Sequence, residues 1–104
     1  GGEYHRLDRY AERAGQVLRA LGIRALSSNR SPEIILFLVR RTLGRKKFLR
    51  ARSLAPKTPE MLASLAGIVT HWRDDPNAKT VVALAAKSSD PEIADIVSRR
   101  VGTP

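Results

Sequence analysis

Eight positive charges, Arg40, Arg41, Arg45, Lys46, Lys47, Arg50, Arg52 and Lys57, fall between residues 40 and 57 with no carboxylate among them. Closely spaced guanidinium and ammonium groups bind anions, either carboxylates or phosphates, and do not by themselves break bonds. The chain carries +9 overall, eight of it in this run, which leaves +1 for all other residues. The basicity is local and points to an acidic partner surface rather than to a general aid to solubility. Basic residues on a solvated face need no partner, but the missing counter-charge gives this run a functional reading.

The side chains needed for bond-making chemistry are scarce. Histidine occurs only at His5 and His71, and there is no cysteine. Thiolate metal sites, disulfides and a cysteine nucleophile are therefore excluded, and a reducing compartment fits. The chain has no glycine-rich phosphate loop, no His-x-x-x-His pair and no serine with a base beside it. His71 with Asp74 and Asp75 resembles a sparse metal site. A simpler reading makes His71 an outward-facing helical residue and the carboxylates helix-end groups, with Asp75 capping the next helix. Glu33, Glu60 and Glu92 each follow a helix-starting proline, where a carboxylate complements the positive helix end. The expectation is a non-enzymatic protein without metal or cofactor. Trp72, the lone tryptophan, shares a stripe with Met61, Leu65 and Ile68 and so reads as core before it reads as a partner anchor.

The element that positions these residues is the segment from Thr58 to Arg73. Thr58 is a capping residue, Pro59 suits the first helical position, and Met61, Leu65, Ile68 and Trp72 recur at helical spacing, with Leu62 and Val69 widening the stripe. This helix is expected to be the spine of a bundle. Residues 3 to 21 form an amphipathic helix with Tyr4, Leu7, Tyr10, Ala14, Val17, Leu18 and Leu21 on its apolar side, ended by Gly22. Residues 23 to 30 either prolong it by a turn or form a linker. Ser31-Pro32-Glu33 opens a run that is apolar from Ile34 to Val39, read as a helix rather than a strand, ending at Gly44 and lying centrally in the bundle. Residues 45 to 54 read as a short basic helix with Phe48, Leu49 and Leu54 docked, and Phe48 and Leu49 are the candidate apolar groove residues. Asp75-Pro76 starts a helix carrying Val81, Val82, Leu84 and Ala85, and Asp90-Pro91 starts a last one with Ile93, Ile96, Val97 and Val101, closed by Gly102.

The fold expected is all-α, a compact bundle of five to six short helices, with residues 3 to 102 as one domain and Gly1-Gly2 a cloning scar. The cap-proline signals at Ser31, Thr58, Asp75 and Asp90 are unequally spaced, which excludes a fixed period but leaves a HEAT-like stack open. No apolar run reaches the roughly 18 residues needed to span a bilayer. The chain is expected to be soluble and intracellular.

The order of elements resembles the TFIIS N-terminal domain, also called the LW domain, of transcription elongation factors. The resemblance is carried by Val17-Leu18-Arg19-Ala20-Leu21, then by Leu38-Val39-Arg40-Arg41-Thr42-Leu43-Gly44 with Arg45-Lys46-Lys47, and then by the segment from Leu65 to Trp72-Arg73. It covers about 13 to 73 and differs in having one residue between Thr42 and Gly44 where the family usually has two. Residues 75 to 102 lie beyond the family's usual end. The resemblance implies a nuclear protein-interaction module that docks disordered acidic segments of transcription-associated factors, with an apolar groove and a basic rim of Arg41, Arg45, Lys46, Lys47, Arg50, Arg52 and Lys57. Leu38, Leu65, Ile68 and Trp72 would form its core. It is expected to act as a monomer. The alternative is nucleic-acid binding through phosphate contacts of residues 40 to 57, weak and indifferent to sequence, since no aromatic stacking set or base-reading helix accompanies them. A membrane-bound basic helix is disfavoured because Phe48, Leu49 and Leu54 offer little apolar area.

Overall fold

Each of the four cap-proline signals opens a helix. The computed structural model describes residues 2–44 and 53–99, and in them five helices follow one another: α1 (Gly2–Leu26), α2 (Pro32–Thr42), α3 (Pro59–His71), α4 (Pro76–Ala86) and α5 (Pro91–Ser98). The all-α expectation holds, and no strand longer than an isolated bridge occurs among the described residues. The Thr58 hydroxyl accepts from Met61 N, and Asp75 and Asp90 accept from the amides of Asn77 and of Glu92 and Ile93. Each thereby satisfies first-turn N–H groups that no carbonyl can reach. Ser31 departs from the pattern: its hydroxyl turns to the Glu33 carboxylate instead of the backbone.

The spine prediction is also met. α3 packs against all four other helices and buries Met61, Ala63, Ser64, Leu65, Gly67, Ile68 and Val69. Leu38, Leu65 and Ile68 are wholly buried, and Trp72, at the C-cap of α3, is 3% exposed. The indole N–H donates to the Ser27 carbonyl at 2.7 Å, so the polar edge of the core tryptophan is satisfied at the end of α1. α4 and α5 complete this same core with Ala78, Val81, Ala85, Ile93 and Ile96.

Several expectations are corrected. Gly22 does not end α1, which runs on to Leu26 because Ile23 and Ser27 dock and are buried. α2 is not the central helix: Ile35, Leu38 and Thr42 form its buried face, whereas Leu36 is 46% exposed. It stops at Thr42 rather than Gly44, because Leu43 turns extended. Leu54 is not helical. Leu43 and Leu54 form an antiparallel bridge, with Gly44 N donating to Ser53 O at 2.7 Å and Ala55 N to Thr42 O at 2.8 Å. α5 ends at Ser98, and the guanidinium of Arg73 takes the carbonyls of Val97 and Arg99 at 2.6 and 3.1 Å. Val101 and Gly102 lie outside the described residues, as does the predicted basic helix over residues 45–52.

The largest correction concerns α1. Its predicted apolar stripe is not its buried face. Tyr10, Val17, Leu18 and Leu21 are 63%, 46%, 67% and 57% exposed, while Ala20, Ile23 and Ser27 turn toward α3. Small residues explain the choice. A Cβ built on Gly67 of α3 would lie 2.5 Å from the Cβ of Ser27, so α1 and α3 approach closely only where α3 lacks a side chain. Close approach of two small faces packs backbone against backbone, and the larger side chains of α1 are displaced to the flanks.

Candidate functional site

The basic run divides at the Leu43–Leu54 bridge. Arg45, Lys46, Lys47, Arg50 and Arg52, together with Phe48 and Leu49, lie outside the described residues, between the two partners of the bridge. The two described members of the predicted rim are held in internal ion pairs. Arg41 reaches Glu60 at 3.3 Å, with its guanidinium 4.5 Å over the Phe37 ring. Lys57 lies 2.9 Å from Asp90 and 3.2 Å from Glu92. These two carboxylates raise the Lys57 pKa, chiefly through the Asp90 hydrogen bond, and Lys57 in turn lowers that of Asp90.

Glu60 has a role beyond complementing the helix end. Its carboxylate also receives Arg19 of α1 at 2.7 Å, so one anion ties α1 and α2 to the first turn of α3. The sequence offered no signal for this pairing, since 41 residues separate Arg19 from Glu60.

A groove of about 330 Å³ runs between α1 and α5 above α3. Val17 and Leu21 form one wall, Leu62 the floor and Ile96 the other wall, with Arg24 and Arg99 among its charged residues. At one end stand Pro59 and Glu92, and Glu92 is the partner of Lys57. The groove therefore opens next to the segment that follows the Leu43–Leu54 bridge. Its acids are already engaged, Glu92 with Lys57 and Asp95 with Arg99 at 2.8 Å. Arg24 has no ion-pair partner among the described residues.

A second hollow lies at the start of α2, lined by Arg30, Ile35, Leu36 and Trp72. Arg30 stacks 4.3 Å from the indole centroid, donates to the His71 carbonyl and meets Asp74 at 3.2 Å. Hydrogen bonding from Arg30 lowers the Asp74 pKa. Arg30 thus covers the outer face of the core tryptophan. His71 is exposed, as expected, and Asp75 caps α4. Among the described residues no group of three or more histidine, aspartate or glutamate side chains is arranged to hold a metal ion.

The structure therefore brings together one set of residues that the sequence did not assemble, namely Val17, Leu21, Leu62 and Ile96 with Arg24. Helical spacing on α1 held part of the signal, because Val17 and Leu21 belong to the predicted stripe; which neighbour they face depends on the packing of α1 and α5 on α3. No protein-family model, curated protein or solved structure gives a significant match to the chain.

Proposed function

We propose that this domain is a non-enzymatic interaction module that docks short acidic and hydrophobic disordered segments of partner proteins. The observation that carries the reading is an exposed apolar row on α1, with Val17, Leu18 and Leu21 at 46–67% exposure, beside a groove whose lining includes Glu92, the partner of Lys57. The sequence adds a run of eight cations without a carboxylate between residues 40 and 57. Exposed apolar side chains in a contiguous row are characteristic of partner surfaces. A disordered acidic ligand is drawn by the basic field and secured by apolar anchors, at modest affinity because it loses conformational freedom. The resemblance to the TFIIS N-terminal domain supports placing such a module in a nuclear, transcription-associated protein.

Charge reversal at Lys46, Lys47 and Arg50 separates steering from anchoring. Stopped-flow association of an acidic peptide with the triple variant is expected to slow by about tenfold or more at low salt and to lose most of its salt dependence. Unchanged rates at both salt concentrations would refute the role of the basic segment. A second reading, phosphate binding by the same residues, is favoured by the five cations within residues 45–52. It predicts that a DNA duplex binds the wild type more tightly than the peptide does.

A further inference from the structure

We infer that α1 pairs antiparallel with α1 of a second copy, each helix laying its free first half into the other's groove between α1 and α5. α1 packs chiefly on α3, and the residues it turns inward, Ala20 and Ile23, lie in its second half. Every residue from 8 to 14 is exposed, a stretch of about two turns. A helical segment that short, followed by Gly15, is marginal without a covering partner. Tyr10, Ala14, Val17 and Leu21 follow at steps of four, three and four, the spacing of a coiled-coil seam. Tyr10, Val17 and Leu21 are 63%, 46% and 57% exposed. The seam thus runs from the free half of α1 into the groove wall that Val17 and Leu21 form.

Charge and space select the occupant. The charged residues around the groove cancel, Arg24 and Arg99 against Glu92 and Asp95, with Lys57 shared between Asp90 and Glu92. The free half of α1 is balanced in the same way, Asp8 and Glu12 against Arg9 and Arg13. A neutral apolar groove admits a neutral apolar helix with no charge left opposed, and eight of the chain's +9 stand in residues 40 to 57. Residues 8 to 14, exposed on every side, are the part of α1 that can enter another copy's groove. A parallel pair would instead bring two packed halves, each carrying its own bundle, to the same level. Matching Tyr10 to Leu21 and Ala14 to Val17 gives both copies the same contacts about a two-fold axis. The monomer expected from the sequence is then the form that a partner binds. Only that consequence rests on the docking reading above, since a partner segment seated on the α1 row has to displace the second copy's helix.

Sedimentation equilibrium of the wild type is expected to show a monomer in equilibrium with a dimer. Y10E and L21E should each raise the dimer dissociation constant by about tenfold or more, because either change falls twice in a symmetric interface. L36E, in the separate hollow beside Arg30, should leave it unchanged. Tyr10 stands among residues exposed on every side, so Y10E is expected to keep the fold, checked by circular dichroism, and carries the test if L21E does not. The chain has no cysteine, so oxidation of introduced thiols reads the register. A mixture of Y10C and L21C should form the mixed disulfide in preference to either variant's own. Like positions stand about 16 Å apart along the pair in this register, and a disulfide needs Cα atoms within about 7 Å. A wild type that stays monomeric at every concentration, a dimer that survives both Y10E and L21E, or preferential self-linking of Y10C would each overturn the inference. Binding of a leucine-bearing acidic peptide by a protein that is always monomeric would overturn it and leave the docking reading standing. A dimer dissociated by Y10E and L21E that binds no such peptide in either form would support it and overturn the docking reading.

Discussion

Gly67 shows how much of this fold turns on the absence of a single methyl group. A Cβ there would sit 2.5 Å from Ser27 Cβ and 2.9 Å from its hydroxyl, well inside van der Waals contact. G67A is expected to push α1 away from α3 and cost about 1–3 kcal/mol, the range for overpacking a tight site. Because Ser27 O also accepts the indole proton of Trp72, the tryptophan emission of the folded variant should shift to the red. Pairing G67A with S27G removes the clashing atoms and should recover much of the lost stability in urea denaturation. No recovery would mean that glycine is required for some other reason. The sequence did not reveal this contact, since Gly67 and Ser27 lie 40 positions apart and nothing local links them. The three capping residues Thr58, Asp75 and Asp90 were readable because a cap acts on amides within three residues of itself, as Asp90 does on Glu92 and Ile93.

At the scale of elements, the same distinction between local and distant partners decides what could be foreseen. The α3 stripe of Met61, Leu65, Ile68 and Trp72 was legible because a helix with so many apolar positions must be covered, and it is. The orientation of α1 was not, because its buried face holds smaller residues than the face it exposes. The Leu43–Leu54 bridge was missed for a related reason: pairing depends on a residue eleven positions away, and the charges around Leu54 suggested a helix. α5 is fastened through Lys57, which meets Asp90 and Glu92. Lys57 holds the Asp90 carboxyl below its ordinary value, so the folded state binds that proton more weakly than the unfolded chain does. The resulting stabilisation is complete above the unfolded value of about 3.9 and is lost as pH falls through the lower folded value. The raised Lys57 pKa contributes stability that is complete below about 10.4 and lost as pH rises through the higher folded value. D90N keeps a competent cap while removing the charge. It is expected to lower the melting temperature at neutral pH, and the difference from wild type should shrink as pH falls from about 3.9 through the lower folded value. A constant difference across that range would assign the effect to capping.

Over the whole molecule, one core serves all five helices, and among the described residues the apolar flank of α1 with its adjoining groove stays uncovered, while the sequence adds the basic run of residues 40 to 57. The basic run was plain in the sequence because charge needs no partner to be counted. The groove was not, because its walls come from the two ends of the chain. A docking module uses both surfaces together, the charge for encounter and the groove for residence. The most direct test is an NMR shift titration of the isotope-labelled domain at two salt concentrations, with an acidic leucine-bearing peptide and separately with a short DNA duplex. The peptide is expected to give saturable shifts that include Val17, Leu21, Leu62 and Ile96 and persist at the higher salt, while the DNA shifts stay diffuse and disappear. Strong DNA shifts confined to residues 40 to 57, with the peptide silent, would contradict the docking account and make the basic run a nucleic-acid contact.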